Sequence, residues 1–119
     1  MTQLLAPILH VASELVGDVH VVTADGELDM ASAPQLETEI DACLSGGSAT
    51  IVLDLTGLTF IDSAGLALMV RTDRRLFERN RYFGIVAWDE DLRQALSYAG
   101  VDQAMPLFHS VESALDNVA

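Results

Sequence analysis

Residues 50–55 read Thr-Ile-Val-Leu-Asp-Leu, apolar and β-branched with one charge near the end. A half-wet strand alternates apolar and polar side chains, whereas a continuously apolar one is buried on both faces. Burial on both faces requires helices above and below, the condition of a parallel sheet in an α/β protein. The flanking segments agree. Upstream, Ala33, Leu36, Ile40, Cys43 and Leu44 recur at helical spacing, with Glu37, Thr38, Glu39 and Asp41 between them. Downstream, residues 63 to about 80 carry Leu66, Met69, Val70, Leu76 and Phe77 on a second helical period.

The remaining segments extend this alternation. Residues 8–15 and 19–24 read as strands separated by Gly17-Asp18, which predicts an antiparallel hairpin. Ser32 or Asp29 is expected to cap the first helix, with Pro34 in its first turn and Gly46-Gly47 at its end. Residues 56–61 read as a loop leading to Asp62, and residues 82–88 as a strand that ends on Trp88, expected to be a packing residue. Asp89 opens a third helix with Leu92, Leu96 and Ala99 on one face, closed by Gly100. Residues 105–108 form a short strand, and Ser110 caps a last helix bearing Val111, Ala114, Leu115 and Val118, with Glu112 or Ser113 completing a partial capping box. The predicted order is β-β-α-β-α-β-α-β-α. It describes an α/β fold with four helices and a mixed, mostly parallel sheet that begins with an antiparallel hairpin. One domain is expected over 1–119, with residues 1–7 a short lead. Function in such sheets gathers at the carboxyl ends of the strands, here residues 25–32 and 56–65.

Composition narrows the chemistry. The 119 residues include 18 acidic and 6 basic side chains, a net charge of −12, and all six basic residues are arginines. Without lysine there is no P-loop, no Schiff base and no lysine-dependent receiver chemistry. No basic residue precedes Arg71, so neither a secretory n-region nor a transit peptide is expected. The apolar runs are too short to span a bilayer, and the lone Cys43 excludes an internal disulfide and any CxxC motif. Strong acidity argues against nucleic acid or an anionic membrane as a partner. The expectation is a cytoplasmic protein without metal or cofactor.

Phe60-Ile61-Asp62-Ser63-Ala64-Gly65-Leu66 places a serine at the start of a helix just after a buried strand. A nucleophile elbow needs glycine two residues before the serine, but Ile61 stands there. The three histidines, His10, His20 and His109, lie in the hairpin or at a distant junction, so no triad forms. No catalytic residue is assigned. Two readings of Ser63 remain: a phosphoryl acceptor at a helix N-terminus, or, with Asp62, a simple helix cap. Glu27 and Asp29 flank Leu28 on the other loop, either as a solvated turn or as a partner-binding edge. Asp54, placed like a receiver aspartate but without its lysine, is expected to stabilise the following loop. Five arginines lie between 71 and 81; a nucleic-acid patch is one reading, but Arg74, Arg75 and Arg79 fall toward a helix C-terminus, where cations complement the dipole, and no aromatic platform accompanies them.

These segments together resemble the STAS domain family, and within it the single-domain bacterial anti-sigma factor antagonists. Gly26-Glu27-Leu28-Asp29 with Ala31, Ala33 and Leu36 is similar to the family's opening of the first helix. Residues 51–55, then Leu58, Phe60, Ile61 and Asp62-Ser63-Ala64-Gly65-Leu66, are similar to its D-S-[SA]-G-L loop. Ala99-Gly100-Val101, Pro106-Leu107-Phe108 and residues 110–115 resemble its C-terminal segment. The resemblance implies a non-enzymatic partner-switching regulator of transcription, in which Ser63 is phosphorylated by an anti-sigma factor serine kinase and reset by a serine phosphatase. Unphosphorylated, such a protein sequesters the kinase and releases a sigma factor; ATP and magnesium belong to the partner. The implied docking face comprises Glu27, Asp29, Met30, Thr59, Asp62, Ala64, Gly65 and Leu66. Ala64 stands where a second serine is frequent, leaving Ser63 the loop's sole phosphate acceptor. A phospho-independent scaffold or ligand-sensing subunit is the alternative.

Overall fold

A computed structural model describes residues 8–47 and 50–118, and the expected lead at 1–7 lies outside them. In chain order the elements are β1 (Leu9–Val16), β2 (Val19–Leu28), α1 (Ala33–Ser45), β3 (Thr50–Asp54), β4 (Leu58–Ile61), α2 (Ser63–Glu78), β5 (Tyr82–Val86), α3 (Glu90–Tyr98), α4 (Val101–Ala104), β6 (Leu107–Phe108) and α5 (Val111–Val118). The strands form one sheet in the order β1-β2-β3-β5-β6, with β4 also paired to β2. Only β1–β2 is antiparallel; the other pairs are parallel. The mixed α/β sheet with its initial hairpin is therefore as expected, with one more strand and one more helix among the described residues.

The central strand behaves as its composition requires. Ile51, Val52, Leu53 and Leu55 have no solvent exposure. Alternate side chains serve opposite faces. Ile51 and Leu53 join Leu36, Ile40, Leu68, Met69 and Leu76 of α1 and α2 in the main core, whereas Val52 packs with Val86 and Ala114 beneath α5. Arg71 and Arg75 of α2 pair with Glu37 and Asp41 of α1 at 3.5 and 2.7 Å, and Arg81 donates to the Leu44 carbonyl at 3.4 Å. Much of the arginine cluster thus knits two helices together. Cys43 is buried on α1, where burial raises its thiol pKa, opposed by a Ser13 hydrogen bond and reinforced by Glu39.

Four expectations are corrected. Residues 58–61, expected as loop, form β4, and β2 runs on to Leu28 to pair with it. Asp25 and Gly26, expected to open the loop at 25–32, are absorbed into β2 at a bulge: the register shifts between Gly26 and Glu27, and Gly26 adopts φ +111°. β3 and β4 then lie along the same edge of β2, separated by the bend at Leu55, Thr56 and Gly57. Asp54 does steady that bend, accepting from the Thr56 amide at 3.0 Å. Second, Gly100, with φ +78°, ends α3 but immediately starts the short α4, whose Val101 is buried. Third, Trp88, Phe77 and Ala99 do not pack in the core; Trp88 is 69% exposed and Phe77 78%. Phe77 directly follows Leu76, the last buried position of α2, and Trp88 and Ala99 lie past the ends of β5 and α3. Fourth, the α1 N-cap is Ser32, one of the two proposals, but only by position. Ser32 occupies the N-cap position without bonding the helix, and Asp29 turns the chain just before it. Ser110 caps α5 as expected, accepting from the Ser113 amide at 3.1 Å; the Val118 side chain lies outside the described ones.

Candidate functional site

The ends of β2 and β4 lie side by side, with Glu27 opposite Phe60 and Leu28 opposite Ile61. Each strand then leaves the sheet into a helix, β2 into α1 and β4 into α2. This pairing brings residues 27–32 and 59–66 into one surface patch.

The first of these turns is built on Asp29 and Ser32. Asp29 Oδ1 accepts from the Ala31 and Ser32 amides at 3.0 and 2.9 Å, a local hydrogen-bonded turn that asparagine and aspartate favour. The buried Ser32 hydroxyl donates to the Glu27 carbonyl at 2.7 Å and accepts from the Asp29 amide at 2.9 Å. These bonds leave Met30 at the apex, 78% exposed.

The second turn is governed by Asp62. Its Oδ1 accepts from the Ala64 and Gly65 amides at 2.9 and 3.1 Å, capping α2. Its Oδ2 accepts from the Met30 amide at 3.1 Å, and its own amide donates to the Leu28 carbonyl at 3.1 Å. One carboxylate therefore caps a helix and ties the two turns together. Gly65 is buried because α2 descends onto the sheet there: a Cβ would approach Ile61 Cγ1 and Leu28 Cγ to 2.8 Å. Thr59 is exposed, and its hydroxyl donates to the Gly26 carbonyl at 3.1 Å.

Ser63 opens α2, exposed to solvent, and its hydroxyl has no hydrogen-bond partner among the described residues. Between the two readings of this segment the roles divide: Asp62 is the cap, and Ser63 is left free. Of the other docking candidates, Glu27, Met30 and Thr59 face outward, while Ala64 and Leu66 are half-buried. Asp29 and Asp62 are engaged in bonds that shape the patch, and Gly65 lies beneath it. The sequence reading missed Phe60, which is 50% exposed in the middle of the patch, and Ser32, the buried hydroxyl that braces it. Nothing in the pattern of Leu58, Thr59, Phe60 and Ile61 signalled an exposed Phe60, because strand alternation places it on the side of the buried Leu58. Among the described residues no cluster of histidine, cysteine and carboxylate side chains is placed to hold a metal.

The architecture defines a small α/β domain with a helix-capped serine displayed at the carboxyl ends of two parallel strands, a surface suited to recognition by another protein. Residues 10–114 match the STAS domain, and the chain belongs to that family. Anti-sigma-F factor antagonist RsfB of Mycobacterium tuberculosis is 29% identical over 84% of this chain and 81% of its own. An anti-sigma factor antagonist from Mycobacterium paratuberculosis superposes with a TM-score of 0.87 and 33% identity, over 97% of this chain and 98% of its own. The fold is shared with the phosphorylated form of Bacillus SpoIIAA, at a TM-score of 0.72 and 24% identity over 92% and 100% of the two chains. The names of these relatives describe regulatory binding proteins, not enzymes. No helix among the described residues is long and apolar enough to cross a membrane.

Proposed function

We propose that this chain is an anti-sigma factor antagonist switched by phosphorylation of Ser63. The relatives' names support the first half of this reading. The observation that carries the second is the exposed Ser63 hydroxyl, without a hydrogen-bond partner among the described residues and held at the start of a helix whose cap is supplied by its neighbour. A kinase can reach such a hydroxyl without unfolding anything. In the unphosphorylated state the patch around Ser63, with Glu27, Met30, Thr59, Ala64 and Leu66, binds an anti-sigma factor serine kinase in the cytoplasm and so releases a sigma factor. Asp29, Asp62 and Gly65 shape that patch from beneath. Phosphate on Ser63 ends the complex, and a serine phosphatase restores it.

The experiment incubates the purified protein with each serine-kinase anti-sigma factor of the source genome, ATP and magnesium. Because no basic residue precedes Arg71, trypsin yields an unwieldy N-terminal peptide. Cleavage before aspartate isolates residues 62–72, where Ser63 and Thr72 are the only hydroxyl residues and Thr72 is buried. Phosphate on Ser63, absent from Ser63→Ala, is the expected result. Phosphate on other residues only, or equal phosphorylation of Ser63→Ala, contradicts the assignment.

A further inference from the structure

Among the described residues β4 has β2 on one side and no strand on the other, because β5 stops at Val86 and the chain turns away into α3. A groove of about 190 Å³ remains between β4 and the first turns of α3. Leu58, Leu92 and Ala95 line it together with Phe60, and Asp89 and Asp91 add two carboxylates. Among the described residues no hydrogen bond crosses it from β4 to α3.

Its size and lining restrict what it can hold. Sites for cofactors and drug-sized ligands enclose roughly 300–1,000 Å³. This groove is a socket for a single side chain, the kind of pocket into which one anchor residue of a protein partner inserts. A purely apolar anchor would leave two carboxylates facing it. A cation with a long apolar stem matches both parts of the lining. Phe60 decides between the two basic side chains: a planar guanidinium stacks on an aromatic ring and engages carboxylates through its fork, which a compact ammonium does not do. Asp89 caps α3 by accepting from the Leu92 amide at 3.0 Å, which leaves further acceptor capacity on its carboxylate.

We propose that the β4–α3 groove receives an arginine side chain from a protein partner, stacked on Phe60 and paired with Asp89 and Asp91. The net charge of −12 favours the approach of such a basic segment. The socket shares β4 with the Ser63 patch, so one partner can cover both. It does not depend on Ser63 being phosphorylated.

The test uses capped tripeptides, not a natural partner, so its failure is separable from that of the phosphorylation assignment. The full chain, 15N-labelled, is titrated with acetyl-Gly-Arg-Gly-amide and with the same peptide carrying citrulline, lysine or leucine. Citrulline keeps the arginine's shape and removes its charge. The arginine peptide is expected to give saturable amide shifts at Phe60, Asp91, Leu92 and Ala95. Citrulline should bind about fivefold more weakly, since a partly exposed ion pair contributes up to about 1 kcal/mol. Phe60→Ala and Asp91→Asn should each weaken the arginine response while leaving the spectrum otherwise folded. Equal binding of citrulline, lysine or leucine, or arginine shifts located elsewhere, overturns the proposal.

Discussion

The carboxylate of Asp62 holds the backbone amide of Met30, 32 positions away in sequence, at 3.1 Å while its other oxygen caps α2. A single side chain thus couples the turn after β2 to the helix after β4. Removing it should cost more than a simple cap. Asp62→Ala is expected to lose about 1–2 kcal/mol, at the upper end for N-cap truncation. Asp62→Asn, which keeps one good acceptor, should lose less. Urea midpoints measure the cost, and hydrogen exchange at Met30 reports the tie. Unchanged Met30 protection in Asp62→Ala would show that the tie contributes nothing.

Ser63→Ala should be nearly silent for stability. With the cap on Asp62 and no bond to the Ser63 hydroxyl among the described residues, the change is expected to stay within about 0.5 kcal/mol, as for a surface substitution. A drop in the urea midpoint as large as that of Asp62→Ala would mean that Ser63 itself holds the helix end.

Phosphate on Ser63 meets an N-terminus that is already claimed. Helix starts attract anions because their first amides lack partners. Here the Ala64 and Gly65 amides already donate to Asp62. A phosphoserine carries about −1.5 to −2 charges, so it competes with Asp62 for those amides or repels it from them. Either way the bonds at Ala64, Gly65 and Met30 weaken, while the buried face of α2, through Leu68, Met69 and Leu76, keeps the helix in place. Amide shifts should concentrate in residues 25–32 and 59–69, largest at Met30, Ala64 and Gly65, with helical circular dichroism unchanged. Shifts spread through β5, α3 and α5 contradict a local switch.

How far the sequence was legible follows from range. The buried strand at 50–54 announced itself through composition, and α1 and α2 through period, because both signals are local. The Asp62–Ser63 segment was likewise visible as either a helix cap or a phosphate acceptor, without showing which residue takes which role. β4 was hidden because four residues next to a glycine carry little pattern; its identity as a strand depends on β2 continuing past Gly26. That continuation depends in turn on the Glu27 amide reaching the Ile8 carbonyl, just before β1, at 2.8 Å, a contact between segments distant in sequence. That the Ala64 and Gly65 amides at the start of α2 are taken by Asp62 was hidden for a similar reason. Which side chain takes them depends on rotamer and neighbours, neither of which spacing reveals.

The glycines beneath the patch should differ in tolerance. At Gly26 an added Cβ runs into the Ile8 carbonyl oxygen, in a backbone conformation that other residues rarely adopt. At Gly65 the helical backbone is ordinary, and the obstacles are the side chains of Ile61 and Leu28, which can shift. Gly65→Ala is expected to cost about 1–3 kcal/mol, the usual range for overpacking. Gly26→Ala should cost more and should disturb β1 as well. Thermal melts rank the two, and the reverse order would remove the argument from backbone conformation.

Asp73 offers a test by pH. It lies half-buried on α2 beside the buried Thr72, with no basic partner among the described residues, and burial raises its carboxyl pKa. A raised folded-state value means that folding disfavours the charged form. The penalty is absent while Asp73 is protonated. It develops as pH climbs past the unfolded value of about 3.9 and is complete above the folded one. Asp73→Asn removes the charge at every pH. The variant should therefore have a higher urea midpoint than the parent at pH 7, and the gain should shrink toward zero as pH falls through the acidic range. A gain that does not vary with pH would assign the effect to packing. A loss at pH 7 would mean that the carboxylate is held by a favourable interaction instead of being penalised by burial.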